Sequence, residues 1–241
     1  MKKHKSLQSL REGAVLVALS LSFFLPAVSP AATQIHGAKA AGMGTAFVAI
    51  ADDLSAMAYN PAGLVLSKGT NVYMGATAIV LSTDYNSPFG TSEDAEFQVF
   101  VAPHLYISSD LDTENMVFGL AVFSPFGIGG RKWSENGLTR YAETENQITT
   151  LAVNPTFAWQ IKPGLSIGLG VFYMYAKNEV EKMIDQSLLG ANDAKFSLDV
   201  DGGGWGFNLG ILVTPSEKFS YGIAYRSGVK IEQNGNIKIE N

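Results

Sequence analysis

Residues 147–161 read QITTLAVNPTFAWQI, and their alternation decides the fold class. The odd positions are Leu151, Val153, Pro155, Phe157, Trp159 and Ile161. The even positions are Thr150, Ala152, Asn154, Thr156, Ala158 and Gln160. Successive side chains of a strand face opposite sides, so one face here is apolar and the other small or polar. The pattern recurs downstream. Leu165, Ile167, Leu169, Val171, Tyr173 and Tyr175 oppose Ser166, Gly168, Gly170 and Ala176. Trp205, Phe207, Leu209, Ile211 and Val213 oppose Gly206, Asn208, Gly210 and Thr214. Phe219, Tyr221, Ile223 and Tyr225 oppose Ser220, Gly222, Ala224 and Arg226.

Upstream, Phe97, Val99, Val101, Leu105 and Ile107 line one face of a second strand, and Met116, Phe118, Leu120 and Val122 one face of a third. A first strand, over 71–81, alternates less cleanly. The total is about seven strands. The connections at 162–164 and 215–218 are short and the one at 108–115 moderate, whereas those at 82–95, 125–146 and 183–195 are long. Short turns at one end and long loops at the other are the habit of outer-membrane barrels. Trp159, Tyr173, Tyr175, Trp205, Tyr221 and Tyr225 suit aromatic girdles at the lipid interfaces. A soluble β-sandwich also alternates. Its strands usually stop at five or six residues, and large aromatic faces set against Gly, Ala and Ser fit lipid outside and a lumen inside. The expected fold is therefore all-β, an antiparallel transmembrane β-barrel.

Composition agrees. The chain has 241 residues, 46% of them apolar and only 16% charged, with no cysteine and a net charge of −5. Soluble domains carry roughly 25% charged residues. The acidic balance gives no footprint for nucleic acid, and the missing cysteines exclude disulfides. Lys2, Lys3, Lys5 and Arg11 precede an apolar run at 14–24 and a small-residue segment ending near Ala31, the layout of a secretory signal. Residues 1–31 are thus expected to be removed on export, leaving a mature net charge of −8.

Residues 32–69 lack clean alternation and are rich in small side chains. They contain Gly42-Met43-Gly44-Thr45-Ala46-Phe47, then Ala51-Asp52-Asp53, then Tyr59-Asn60-Pro61-Ala62-Gly63-Leu64. Gly42 and Gly44 suit close backbone approach or a positive φ, and Asn60-Pro61 suits a turn. Asp52 and Asp53 suit a helix start or a basic partner in the lumen. Together these stretches resemble the N-terminal hatch of the FadL/TodX family of outer-membrane long-chain fatty acid and aromatic hydrocarbon transporters. Ser124-Pro125-Phe126-Gly127, residues 175–182, Gly204-Trp205-Gly206-Phe207-Asn208 and residues 225–230 extend the resemblance downstream.

The resemblance implies a Gram-negative outer-membrane protein that passes hydrophobic molecules by hatch-gated diffusion, without cofactor or catalysis. It implies a hatch at 32–69 with Gly42, Gly44, Asp52, Asp53, Asn60, Pro61 and Ala62, and the first half of a barrel at 70–241. It implies a kink at Pro125 and Gly127, where ligand leaves sideways into lipid, and a ligand pocket including Lys182, Ser124 and Phe126. Its partners would be a long-chain fatty acid or hydrocarbon and outer-membrane lipid. The family barrel has fourteen strands, so about seven leave open edges, each unpaired backbone group costing several kcal/mol in lipid. Closure then needs missing C-terminal strands or a second chain.

No enzyme motif stands in the sequence. Asp199-Val200-Asp201-Gly202 starts like a calcium loop but lacks later ligands, and reads as a loop before the next strand. His104 lies on the small face of the second strand, and no serine can be assigned to it for a lumen hydrolase. A general porin, or a soluble or peripheral lipid-binding β-protein, is the alternative function.

Overall fold

The alternation is realised as one antiparallel sheet in a computed structural model that describes residues 36–240; the expected signal at 1–31 lies outside them. Its strands are β1 (Thr70–Leu81), β4 (Gln98–Ser109), β5 (Met116–Phe123), β6 (Ile128–Lys132), β7 (Glu145–Lys162), β8 (Leu165–Ile184), β9 (Ala194–Ser216), β10 (Phe219–Arg226) and β11 (Glu232–Glu240). A separate small hairpin pairs β2 (Asp84–Asn86) with β3 (Ser92–Asp94) inside the first long connection. The sheet order is β1-β4-β5-β7-β8-β9-β10, with β6 also on β7 and β11 also on β9. Since β5 and β6 share one neighbour, and β10 and β11 another, the sheet has seven courses, of which the third and seventh are interrupted. This half-barrel is the expected antiparallel β fold.

The two faces divide as the sequence divides them. Leu105, Leu169, Phe207 and Ile211 point outward and stay exposed, while Ala152, Asn154, Ala158 and Ser166 are buried on the inner side. The outward face of β8 runs apolar from Leu165 to Tyr175 and then turns to Lys177, Glu179 and Glu181. Ten residues at 3.3 Å and a tilt near 40° give a band about 25 Å tall, which matches the apolar belt of an outer-membrane barrel. Tyr173 sits opposite Trp205 in register, their rings 5.2 Å apart, near the upper margin of this band.

Above that margin β8 and β9 keep pairing, up to Ile184 with Ala194. The ladder is joined there by charge: Lys177 meets Glu179 at 2.8 Å and Asp199 at 3.3 Å, and Lys195 meets Glu135 at 2.8 Å and Glu181 at 2.9 Å. The alternating apolar face stops at Tyr175 and resumes at Trp205 because it tracks burial in lipid, whereas the ladder continues into water and leaves only 185–193 of the expected 183–195 connection unpaired. Residues 199–202 therefore lie inside β9, and the loop expected there is a strand paired on both sides.

The segment before β1 folds against the inner face. It has two short helices, α1 (Ala38–Gly42) and α2 (Ala56–Tyr59), and a 3₁₀ turn at Pro61–Leu66. Pro61 starts that turn, where its missing N–H is harmless, and Asn60 caps it by accepting from the Ala62 N–H at 3.1 Å. Glycine on the wall makes room: a Cβ on Gly168 would collide with the Ala62 nitrogen and Pro61, and one on Gly210 with the Asn60 side-chain oxygen. Met57, Leu64 and Val65 of the segment join Tyr106, Val117, Phe123, Phe172 and Met174 of the wall in one buried apolar cluster.

Candidate functional site

The third course breaks at residues 124–127. Phe123, Ser124 and Pro125 are buried in succession, where alternation would bury every second residue. Pro125 cannot donate to a ladder, and Gly127 takes a φ of 82°. The break is stitched to β7 through one residue. The Thr150 hydroxyl donates to the Gly127 carbonyl at 2.9 Å and accepts from the Phe126 N–H at 3.1 Å. The Ser124 hydroxyl donates to the Thr150 carbonyl at 2.6 Å.

The break has a consequence for the wall. Residues 105–109 of β4 pair with β5, but 98–104 pair only with β1, because β6 follows β7 instead. Beside the break lies a groove of about 440 Å³ lined by Ile79, Leu81, Phe126, Ile128 and Ile148, with Thr83, Arg131 and Asn146 also on it. Its lining is largely aliphatic and aromatic, with one cation and one amide among it.

Below it the N-terminal segment is tied to the wall by amides and one guanidinium. Asn208 and Asn154 both donate to the Met57 carbonyl, at 2.8 and 3.2 Å. Asn60 donates to Val48 at 2.7 Å and to Ile211 of β9 at 3.1 Å. Arg226 donates to the Ala58 carbonyl at 2.7 Å, and Ser220 donates to that of Ala49. Around these ties, Tyr73 stacks on Tyr106 at 5.8 Å and Tyr106 on Phe123 at 6.1 Å, with His104 tilted against both Tyr73 and Tyr106. Burial, reinforced by Arg226 and His104, pushes the His36 imidazole down to about 3.

The residues singled out in the sequence do not all meet. Asn60, Pro61 and Ala62 form the turn that seats against Gly168 and Gly210. Asp53 accepts from the Ser55 N–H at 2.8 Å, and Asp52 pairs with Lys39 at 2.6 Å on the surface, so neither reaches a basic residue of the lumen. Gly44 needs its positive φ of 60°, but Gly42 is helical with open space around a Cβ, so neither expected reason for glycine holds there. Pro125, Phe126 and Gly127 lie together at the break.

Ser124 and Lys182 lie apart. Ser124 is fixed at the level of Thr150, which pairs with Ala176, whereas Lys182 is six residues further along β8. That is about 20 Å, too far for both to hold one polar head. Lys182 Nζ lies 5.8 Å from the Phe196 ring, in the part of the wall above the apolar belt. Asn154, Asn208, Tyr106 and Arg226, which meet the N-terminal segment, are not singled out as site residues by the sequence. Their signal was a large polar or aromatic side chain on a face otherwise made of Gly, Ala, Ser and Thr.

Known proteins share this fold. The sequence matches the family described as outer membrane protein transport protein (OMPP1/FadL/TodX) over residues 23–241. A long-chain fatty acid transport protein of Escherichia coli is 27% identical over 246 residues, covering 84% of this chain and 53% of that protein. Outer membrane protein P1 of Haemophilus influenzae is 26% identical over 276 residues, covering 93% of this chain and 58% of its own. The chain thus spans about half the length of the curated relatives it matches. Among solved structures, a Pseudomonas aeruginosa FadL homologue shares the fold with a TM-score of 0.67 at 18% identity, over 87% of this chain and 56% of that one. The Pseudomonas putida toluene transporter TodX gives 0.62 at 18%, over 74% and 52%. With its sequence matched over nearly the whole described chain, this protein belongs to the OMPP1/FadL/TodX family of outer-membrane proteins.

Proposed function

We propose that the chain forms the hatch-bearing half of an outer-membrane channel for hydrophobic molecules, either long-chain fatty acids or aromatic and aliphatic hydrocarbons. The observation that carries this reading is the break at 124–127 beside a largely apolar groove, in a wall whose outer face is also apolar. A greasy solute in that groove reaches lipid without crossing water, whereas a polar solute gains nothing from it. The segment before β1 acts as the hatch, blocking the lumen beneath the groove. The two edges of the sheet, β1 and β10 with β11, are closed by further strands of the complete barrel, since open edges are costly in lipid. The names of its relatives, fatty acid transport protein and toluene transporter, support the solute class.

The test uses the complete protein in liposomes. Uptake of a labelled long-chain fatty acid or of toluene is expected, with little permeation of small sugars. Sugar permeation without hydrophobic uptake would make it a general porin. A protein that stays soluble without detergent would be a lipid-binding β-protein.

A further inference from the structure

The outer face of the wall changes chemistry at Tyr175, and the ladder does not stop with it. On β8 the outward parity passes from Tyr173 and Tyr175 to Lys177, Glu179 and Glu181, and on β9 it is carried by Lys195, Ser197 and Asp199. Pairing runs on to Ile184 with Ala194, about 20 Å beyond the apolar belt. The long connections stand at this end, which in outer-membrane barrels is the cell-surface side. A lipid whose chains lie against the exposed Val171 and Tyr173 therefore carries its head against this charged strip.

The strip forms a groove and is out of charge balance. The groove, of about 480 Å³, is lined by Glu145, Glu179, Glu181, Asp199 and Glu240 against Lys195 and Lys238, five carboxylates to two ammoniums. Glu145 stands directly opposite Glu181 in register, and Glu179 opposite Asp199. Like charges directly opposite destabilise a sheet. Lys195 is shared between Glu135 and Glu181, and Lys177 between Glu179 and Asp199, which offsets part of the repulsion. Lys238, opposite Ser197 on β11, is exposed and forms no ion pair among the described residues. Among the described residues no three acids or histidines converge to hold a metal ion on their own.

We propose that this strip docks the phosphorylated sugar head of an outer-leaflet glycolipid, with Lys238 on a phosphate and the paired carboxylates sharing the divalent cations that accompany such phosphates. An anionic head with monovalent counter-ions meets net negative charge here and is repelled. A divalent cation between carboxylate and phosphate reverses that sign, since both supply the hard oxygens it takes, and sugar hydroxyls donate to the remaining carboxylate oxygens. The contact lies on the outside of the wall and is independent of the solute that passes through the protein.

The experiment titrates the complete protein in detergent with fluorescent rough lipopolysaccharide, its core phosphates intact, in the presence of Mg²⁺. Phosphatidylglycerol, an anionic lipid without a phosphorylated sugar, should bind more weakly. Lys238→Gln should weaken lipopolysaccharide about 3- to 10-fold, the scale of one cation at an anionic lipid surface, while Lys238→Arg should bind as wild type does. Lys162 is exposed at the short-turn end of β7, so Lys162→Gln makes the same change in net charge and should leave binding unaltered. Chelation of Mg²⁺ should weaken binding to wild type. The docking site is overturned if Lys238→Gln binds unchanged, if Lys162→Gln loses as much, or if phosphatidylglycerol binds as tightly. Binding that survives chelation unchanged would overturn it too, because the carboxylates would then have no part in it.

Discussion

The side-chain amide of Asn208 donates to the Met57 carbonyl at 2.8 Å, joining wall and hatch across 151 residues of sequence. Asn154 reaches the same oxygen at 3.2 Å from the neighbouring course but one. One backbone carbonyl at the end of a short helix is thereby doubly satisfied in a buried site. The N-terminal segment is held at this point by directional bonds and beside it by apolar packing.

Asn208→Ala should therefore lower the stability of the complete protein by about 1–3 kcal/mol, the cost of unpairing buried polar groups. A thermal melt in detergent reads this as a lower midpoint. An unchanged midpoint would mean that packing alone seats the segment.

Gly168→Val should unseat the hatch while leaving the wall intact, because its side chain would occupy the place of Pro61 and the Ala62 nitrogen. Limited proteolysis should then cut within residues 45–66 in a barrel that still shows heat-dependent gel migration. Gly42→Ala offers the contrast. It sits in α1 with open space around it, so alanine should be neutral or stabilise by up to about 1 kcal/mol.

Thr150→Val keeps shape but deletes the hydroxyl that bridges Phe126 and Gly127. We expect a loss of about 1–3 kcal/mol together with altered uptake of hydrophobic solute. A change in stability with uptake untouched would separate the break from the transport path.

The pH dependence follows from His36, whose imidazole is held at about 3 when folded against 6.5 in an open chain. Above pH 6.5 both states are neutral and the group contributes nothing to the slope. As pH falls from 6.5 towards 3, only the unfolded state gains the proton, so stability drops by up to about 1.4 kcal/mol per pH unit. His36→Phe should flatten that part of the melting profile. An identical slope in the variant would place the titration elsewhere.

Leu169 and Leu165 test the lipid-facing band. Leu169→Arg, on the outward face inside the band, should cost about 2–4 kcal/mol in a reversible refolding assay into bilayers, whereas Leu165→Arg at its lower margin should cost about 0–1. Similar small costs at both sites would mean that this face does not meet lipid.

The period of two at 147–161 and its repeats was enough to assign faces, course number and barrel class. Each strand residue in the belt meets lipid or lumen directly, and that partition is written into every second side chain. Asn60-Pro61 likewise declared a turn from local chemistry alone. The strand character of 199–202 was not legible, since no lipid is present there to enforce alternation. The hairpin of β2 with β3, and β6 within a long connection, were hidden for the same reason.

The site divides along the same line. Sequence resemblance placed a kink at 125–127, and single-residue chemistry supplies its reason, since Pro125 lacks a donor and Gly127 admits a positive φ. Tertiary structure alone decided that Ser124 is consumed by Thr150, that Lys182 stands about 20 Å away, and that Asn154 and Asn208 share one carbonyl. It alone brought His36, Tyr106 and Arg226 around Phe123. Register and the depth at which the N-terminal segment seats set those distances, and both arise from pairing and packing between segments up to 171 residues apart. Alternation records which side a residue faces and carries no information about what waits on that side.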